Sequence, residues 1–153
     1  MQTEFDIMIM SKVLDLARNG IGKVEPNPYV GAIITKNNEI IATGFHQEFG
    51  GAHAEVNAIK NAVSLYPNLD FENCEIYINL EPCSHFGKTP PCVDLLIEKR
   101  FKRVIFAMID TNPLVAGNGL KKLQSENIAV TFGVLENEAY LLNKKFIEAF
   151  GKS

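Results

Sequence analysis

Cysteine is scarce in this 153-residue sequence: it has three, an odd count and too few for a secreted scaffold built on disulfides. Basic side chains show no excess either. Against 15 lysines and arginines stand 18 aspartates and glutamates, a formal net charge of -3, so the electrostatic footprint of a nucleic-acid binder is missing. A local basic pocket for a phosphate remains compatible with that balance. No apolar run approaches the roughly 18 residues that mark a membrane span. The start, "MQTEFDIMIM", has early acids and lacks the positive n-region of a signal peptide. What is present is an ordinary globular composition, in a chain long enough to bury the core of one domain. A reducing compartment is expected, with the cytoplasm as default. There, a cysteine pair more often binds metal or does chemistry than forms a disulfide.

Met10, Val13, Leu14 and Ala17 recur at helical spacing and predict a helix over residues 4–19, ended by Gly20 and Gly22. Pro26 and Pro28 bias Glu25 and Asn27 away from the helical region, so "VEPNPYVGAII" should turn sharply. Residues 29–35 and 39–45, apolar and β-branched around "KNN", predict a hairpin. A helix over 53–66 follows, then a strand in "CEIYINL" and a helix from Pro90 to Lys99. Next come a buried strand in "RVIFAM", a short helix in "GNGLKKLQSEN" and a strand in "IAVTF". The last helix should run from Glu136 to Ala149 with Ala139, Leu142, Phe146 and Ala149 inward. Such alternation predicts an α/β fold with a largely parallel sheet and helices on both faces. Ligands of open α/β sheets gather beyond the carboxyl ends of the strands. "GFHQEFGGAHAE", "EPCSHFGKTPPC" and "DTNPLVAGNG" each follow a strand, so these three loops should converge on one edge.

His53, Cys83 and Cys92 are the candidate metal ligands. Catalytic zinc typically takes three protein ligands and leaves a fourth position to water. "TPPC" reads as a helix start, with Thr89 as N-cap, Pro90 first in the helix and Cys92 in the first turn, where thiolate is favoured over thiol. His53 opens the preceding helix, and Pro82 stiffens the chain before Cys83. Cys74, at a strand start, reads as a small buried hydrophobe. Glu55, two residues after His53, could serve as the base beside a metal-activated water. An isolated H-x-E is usually a surface pair, and two cysteines so spaced could be a disulfide or unrelated thiols. The combination of H-A-E, E-P-C and P-C at strand-to-helix junctions is what points to a metal.

This combination resembles the zinc-dependent cytidine deaminase superfamily, whose signature is H-x-E…P-C-x-x-C with a non-ligating glutamate. Here eight residues separate the cysteines instead of two. That departure is itself informative, because "LEPCSHFGKTPPC" looks like the riboflavin-biosynthesis deaminases, which act on diaminohydroxyphosphoribosylaminopyrimidine. "PNPYVGAII", "GFHQEFGGAHAEVNAI", "DTNPLVAGNGL" and "GVLENEAYLLNKKF" resemble segments of the same family, in order. The likeness extends over nearly the whole chain.

The resemblance implies a three-layer α/β/α cytidine deaminase-like fold, with about five strands in a mixed sheet, formed by residues 1–153 as a single domain. It implies zinc held by His53, Cys83 and Cys92, and Glu55 moving the protons of a hydrolytic deamination. Asn27 and His46 match positions that contact the substrate, while Lys88, Asp110 and Asn112 match positions that hold its ribose phosphate. The residue chemistry agrees: lysine donates to phosphate, asparagine can donate or accept at a pyrimidine edge, and aspartate accepts from sugar hydroxyls. Asn27, Asp110 and Asn112 could equally do no more than shape turns. The family commonly carries a C-terminal NADPH-dependent reductase. None fits before Ser153, so this chain is expected to deaminate only, with a separate reductase downstream. A homo-oligomer, dimer or tetramer, is also implied, with no nucleic-acid or membrane partner. Alternatives that stay open are another nucleoside, nucleotide or tRNA base deaminase, and a non-catalytic zinc-stabilised module.

Overall fold

The structure, a computed structural model, describes residues 2–84, 91–111 and 116–150. Its elements run α1 (Glu4–Arg18), β1 (Gly31–Lys36), β2 (Glu39–Phe45), α2 (Ala54–Leu65), β3 (Glu75–Ile78) and α3 (Cys92–Lys99). They continue with β4 (Arg103–Phe106), α4 (Asn118–Ser125), β5 (Ala129–Phe132), α5 (Glu136–Leu142) and α6 (Lys144–Phe150). Thr3 caps α1 in a reciprocal capping box with Asp6, which satisfies two N–H groups that the helix itself leaves unpaired. The β1–β2 hairpin turns through Asn37 and Asn38, both at positive φ, the geometry a two-residue hairpin loop requires and asparagine tolerates.

The five strands lie in the order β2-β1-β3-β4-β5. Pairing is antiparallel across β2–β1 and β1–β3, and parallel across β3–β4 and β4–β5. The sheet is therefore mixed rather than largely parallel. Even so, β2 to β5 all point the same way and β1 alone runs against them. The carboxyl ends of β2, β3 and β4 and the entrance to β1 consequently share one edge. That is why the 25–30 segment, which precedes β1, reaches the same place as the loops that follow the other strands.

Strand residues alternate between two cores. On one face Ile34, Ile76 and Val104 pack with Ala58 and Ala62 of α2, Val93 and Leu96 of α3 and Leu123 of α4. On the other, Ile33, Tyr77 and Ile105 pack with Ile9, Met10 and Val13 of α1 and with Ala139 and Ile147 of α5 and α6. These are the three layers.

Two expected helices differ. The one expected from Pro90 begins at Cys92, with Pro91 in the N-cap position in place of Thr89; Thr89 and Pro90 lie outside the described residues. The one expected over 136–149 divides at Asn143, whose side chain accepts from Tyr29 N–H at 2.7 Å and donates to Tyr29 C=O at 2.9 Å. That buried pairing with a distant backbone competes with continuation of the helix. It also changes the inward face: Ile147 is buried and Ala149 is exposed.

Candidate metal centre and active site

Close backbone packing sets the position of α2. A Cβ on Gly44 of β2 would stand 2.8 Å from the Ala54 carbonyl oxygen, so only glycine lets the first turn of α2 lie this near the strand. Asn57 and Asn61 donate to the carbonyls of Phe45 and Thr43 at 2.9 and 2.8 Å and lock the register. The result holds His53 in the N-cap position and Glu55 in the first turn, at the carboxyl end of β2.

Cys83 follows β3 and faces the start of α3. The Cys92 N–H donates to the Cys83 sulfur at 3.1 Å, and the Val93 N–H donates to the Cys83 carbonyl at 3.0 Å. The helix start thus stabilises negative charge on Cys83, whereas the sequence pointed to Cys92 itself. The Cys92 thiol donates to Cys83 as well and, with His53 and that backbone N–H, holds the Cys83 thiol down to about 4 despite burial. Cys92, sharing its proton with Cys83 and buried, is shifted upward.

His53 Nδ1 lies 3.2 Å from the Cys92 sulfur and 3.9 Å from the Cys83 sulfur. Bonds of about 2.0–2.1 Å to nitrogen and 2.3 Å to sulfur at tetrahedral angles would put nitrogen and sulfur about 3.6 Å apart. The two observed separations bracket that value, and all three ligand atoms lie within 4.8 Å of one another. Charge points the same way. His53 is shifted upward by its hydrogen bond to Cys83. Burial and the Cys83 charge push Glu55 up to about 7. With Cys92 also raised, three of these groups hold protons more tightly than usual, as expected of a cluster short of positive charge. A divalent cation supplies that charge and releases those protons. The donor set, one imidazole and two thiols, suits zinc.

Glu55 is buried, only 4% exposed, with its carboxyl against Cys92. His46 is equally buried and its ring stacks edge-on against that of His53, the centroids 5.7 Å apart. Its Nδ1 lies 3.0 Å from the Ala52 carbonyl and its Nε2 lies 3.1 Å from the Asn27 amide nitrogen. A carbonyl can only accept and an NH2 only donate, so these partners select the neutral tautomer with its proton on Nδ1. Asn27 and His46 therefore form a connected pair beside the three ligands. Asp110 follows β4 on the same edge, and its backbone N–H donates to Glu81 at 3.0 Å. Lys88 and Asn112 lie outside the described residues.

Sequence reasoning missed three buried polar residues that shape this edge. Asn79, at the end of β3, accepts from Gly31 N–H and donates to Tyr29 C=O, at 2.8 and 2.9 Å. Asn143 grips the same Tyr29 backbone from α5, so together they hold the segment carrying Asn27. Glu81 accepts backbone N–H bonds from Asp110, Gly117 and Leu120. The available signal was an asparagine one residue and a glutamate three residues past a buried strand's end.

Residues 3–108 match the family model described as the cytidine and deoxycytidylate deaminase zinc-binding region. The chain belongs to this deaminase family. Within it, the chain is 39% identical over 143 residues to the diaminohydroxyphosphoribosylamino-pyrimidine deaminase of Buchnera aphidicola subsp. Acyrthosiphon pisum, covering 94% of each. That likeness sets it among the diaminohydroxyphosphoribosylaminopyrimidine deaminases. It is 46% identical over 138 residues, 90% of its length, to riboflavin biosynthesis protein RibD of Bacillus amyloliquefaciens. Of that longer relative it spans only 36%. Among solved structures, the deaminase/reductase of Thermotoga maritima superposes with a TM-score of 0.90 at 44% identity, over 97% of this chain and 42% of that one. The five-stranded α/β sheet is thus the deaminase fold of this family. Among the described residues, no helix is long and apolar enough to cross a membrane.

Proposed function

We propose that this chain hydrolytically deaminates 2,5-diamino-6-(5-phosphoribosylamino)pyrimidin-4-one to 5-amino-6-(5-phosphoribosylamino)uracil, with release of ammonia. The observation that carries the reading is the His53, Cys83 and Cys92 cluster, its ligand atoms within 4.8 Å of one another, with the buried carboxyl of Glu55 against Cys92. Zinc held by those three side chains would lower the pKa of water and so supply a nucleophile near neutral pH.

Glu55 accepts the proton of the attacking water at a carboxylate oxygen and delivers it to a ring nitrogen as the C–O bond forms. It then takes the second water proton and passes it to the exocyclic nitrogen. The C–N bond breaks and ammonia departs, so one water is consumed and no redox partner is needed. Buried in the first turn of α2 with its carboxyl against Cys92, Glu55 stands where a group that must both accept and release a proton is needed. Asn27 presents its amide to the pyrimidine edge, oriented by His46 behind it. Lys88, Asp110 and Asn112 take the phosphoribosyl portion.

In this reading residues 1–153 act as one deaminase domain. Its product would be the substrate of a reductase, an activity that the name of the Thermotoga maritima relative pairs with its deaminase. A cytoplasmic setting accords with three cysteines that are all free thiols. A homo-oligomer accords with Ile7 and Met8 exposed on the outer face of α1. The deciding experiment measures ammonia released from the phosphorylated diaminopyrimidine, with cytidine and a tRNA anticodon substrate in parallel and zinc quantified in the same sample. Release from the first alone supports the reading; release from neither it nor the controls, with zinc bound, overturns it.

A further inference from the structure

Glu81 is a carboxylate only 5% exposed, and among the described residues no lysine or arginine pairs with it. Its Oε1 accepts from Asp110 N–H at 3.0 Å and from Gly117 N–H at 3.1 Å, and its Oε2 accepts from Leu120 N–H at 3.0 Å. Three backbone donors on one buried carboxylate are charge-assisted bonds, each stronger than a neutral one. Leu120 sits in the first turn of α4, a helix whose own N-cap residue, Gly117, makes no side-chain cap bond. Glu81 supplies that missing acceptor from another part of the chain.

The backbone joins in. Glu81 N–H donates to Met108 C=O at 2.9 Å, which extends the β3–β4 contact beyond the Ala107 N–H bond to Ile78 C=O at the strand ends. A Cβ on Gly119 would stand 2.5 Å from the Pro82 carbonyl oxygen and 3.2 Å from Glu81 Cγ. The chain entering α4 therefore lies directly on residues 81 and 82, and the next residue is Cys83.

We infer that Glu81 is a positioning residue, which holds the Asp110 side of the substrate pocket in register with Cys83 at the metal centre. The inference rests on the deaminase reading and adds a specificity element to it: the ribose phosphate half of the substrate is located by a backbone that Glu81 organises. The carboxylate need not touch the substrate. It works through Asp110 and the start of α4.

Glu81→Gln replaces one acceptor oxygen by a donor, which cannot serve an N–H. With the full chain loaded with zinc, KM for the phosphorylated diaminopyrimidine should rise about 10-fold or more while kcat stays within about 3-fold. Zinc content should remain that of the wild type. Glu81→Asp, which keeps the charge but draws it back by one methylene, should recover part of the loss. Gly119→Ala pushes on the same contact with the carboxylate intact and should also raise KM, which covers the case in which Glu81→Gln fails to fold. Unchanged KM in the folded variants, or a parallel loss of kcat, zinc and melting temperature, overturns the inference.

Amide hydrogen exchange at Asp110, Gly117 and Leu120 separates this from failure of the deaminase reading. If the wild type releases no ammonia, that reading falls. The positioning link still stands if chelating zinc speeds exchange at these amides in the wild type but not in Glu81→Gln. It falls if zinc has no effect on them in either.

Discussion

His53 Nδ1 and the Cys92 sulfur stand 3.2 Å apart, although 39 positions separate them in the chain. Each opens a helix, α2 and α3, on the edge where four strands end. With Cys83 beside them the cluster is one metal's worth of ligands. Replacing Cys92 with alanine should reduce bound zinc from about one per chain to near zero, since two protein ligands rarely retain it. Elemental analysis of the purified variant checks this directly. Chelation of the wild type should abolish ammonia release, and added zinc should restore it.

Glu55→Gln keeps the shape of the side chain and removes its capacity to carry a proton. Turnover should fall by about 10²–10⁴-fold, the usual share of a positioned acid–base group, with zinc still bound. Steady-state kinetics and metal analysis on one sample decide it. Wild-type turnover by the variant would remove Glu55 from the reaction.

His46 should be a neutral imidazole protonated on Nδ1, because Ala52 C=O can only accept and the Asn27 NH2 can only donate. Nitrogen-15 chemical shifts of the ring report the tautomer. Asn27→Ala leaves Nε2 as a buried acceptor without this partner and should cost about 1–3 kcal/mol in chemical denaturation. A ring protonated on Nε2 alone would contradict the assignment.

Asp6 sets the acid limit of stability. Burial opposes its ionisation, but hydrogen bonds from Arg103, Tyr77 and the Thr3 backbone outweigh burial and hold its pKa below the usual 3.8. Arg103 reaches both of its oxygens, at 2.7 and 3.1 Å, and also pairs with Glu75 at 2.6 Å. Since the folded pKa lies below the unfolded one, this contribution is complete above about pH 4 and is lost as pH falls through the lowered value. Asp6→Asn should destabilise the fold by about 3 kcal/mol, the low end for breaking a buried pair because Arg103 keeps Glu75. It should also flatten the acid side of the stability–pH curve, measured by urea unfolding below pH 5.

Much of this was readable along the chain. Hydrophobic period placed α1, α2 and the hairpin to within a residue or two, because those segments bury one face each and sequence records which residues face inward. The cluster of His53, Cys83 and Cys92 with Glu55 beside it was readable because zinc chemistry restricts residue types, and turns and helix starts leave local marks. The single long helix expected over 136–149 was wrong for the opposite reason: its break depends on Asn143 bonding Tyr29, 114 positions away. Glu81 was visible in "EPC", yet its three N–H partners come from residues 110 to 120, and backbone donors carry no sequence mark.

The sequence by itself determined the chemistry this protein can hold, since ligand type, proton carrier and element period are properties of side chains and their spacing. Only the tertiary structure decided which sulfur takes the charge, which tautomer His46 adopts and what ties the Asp110 backbone to the chain beside Cys83. Each of those turns on a hydrogen bond between distant segments, and such a bond exists only once the sheet has brought its edge together.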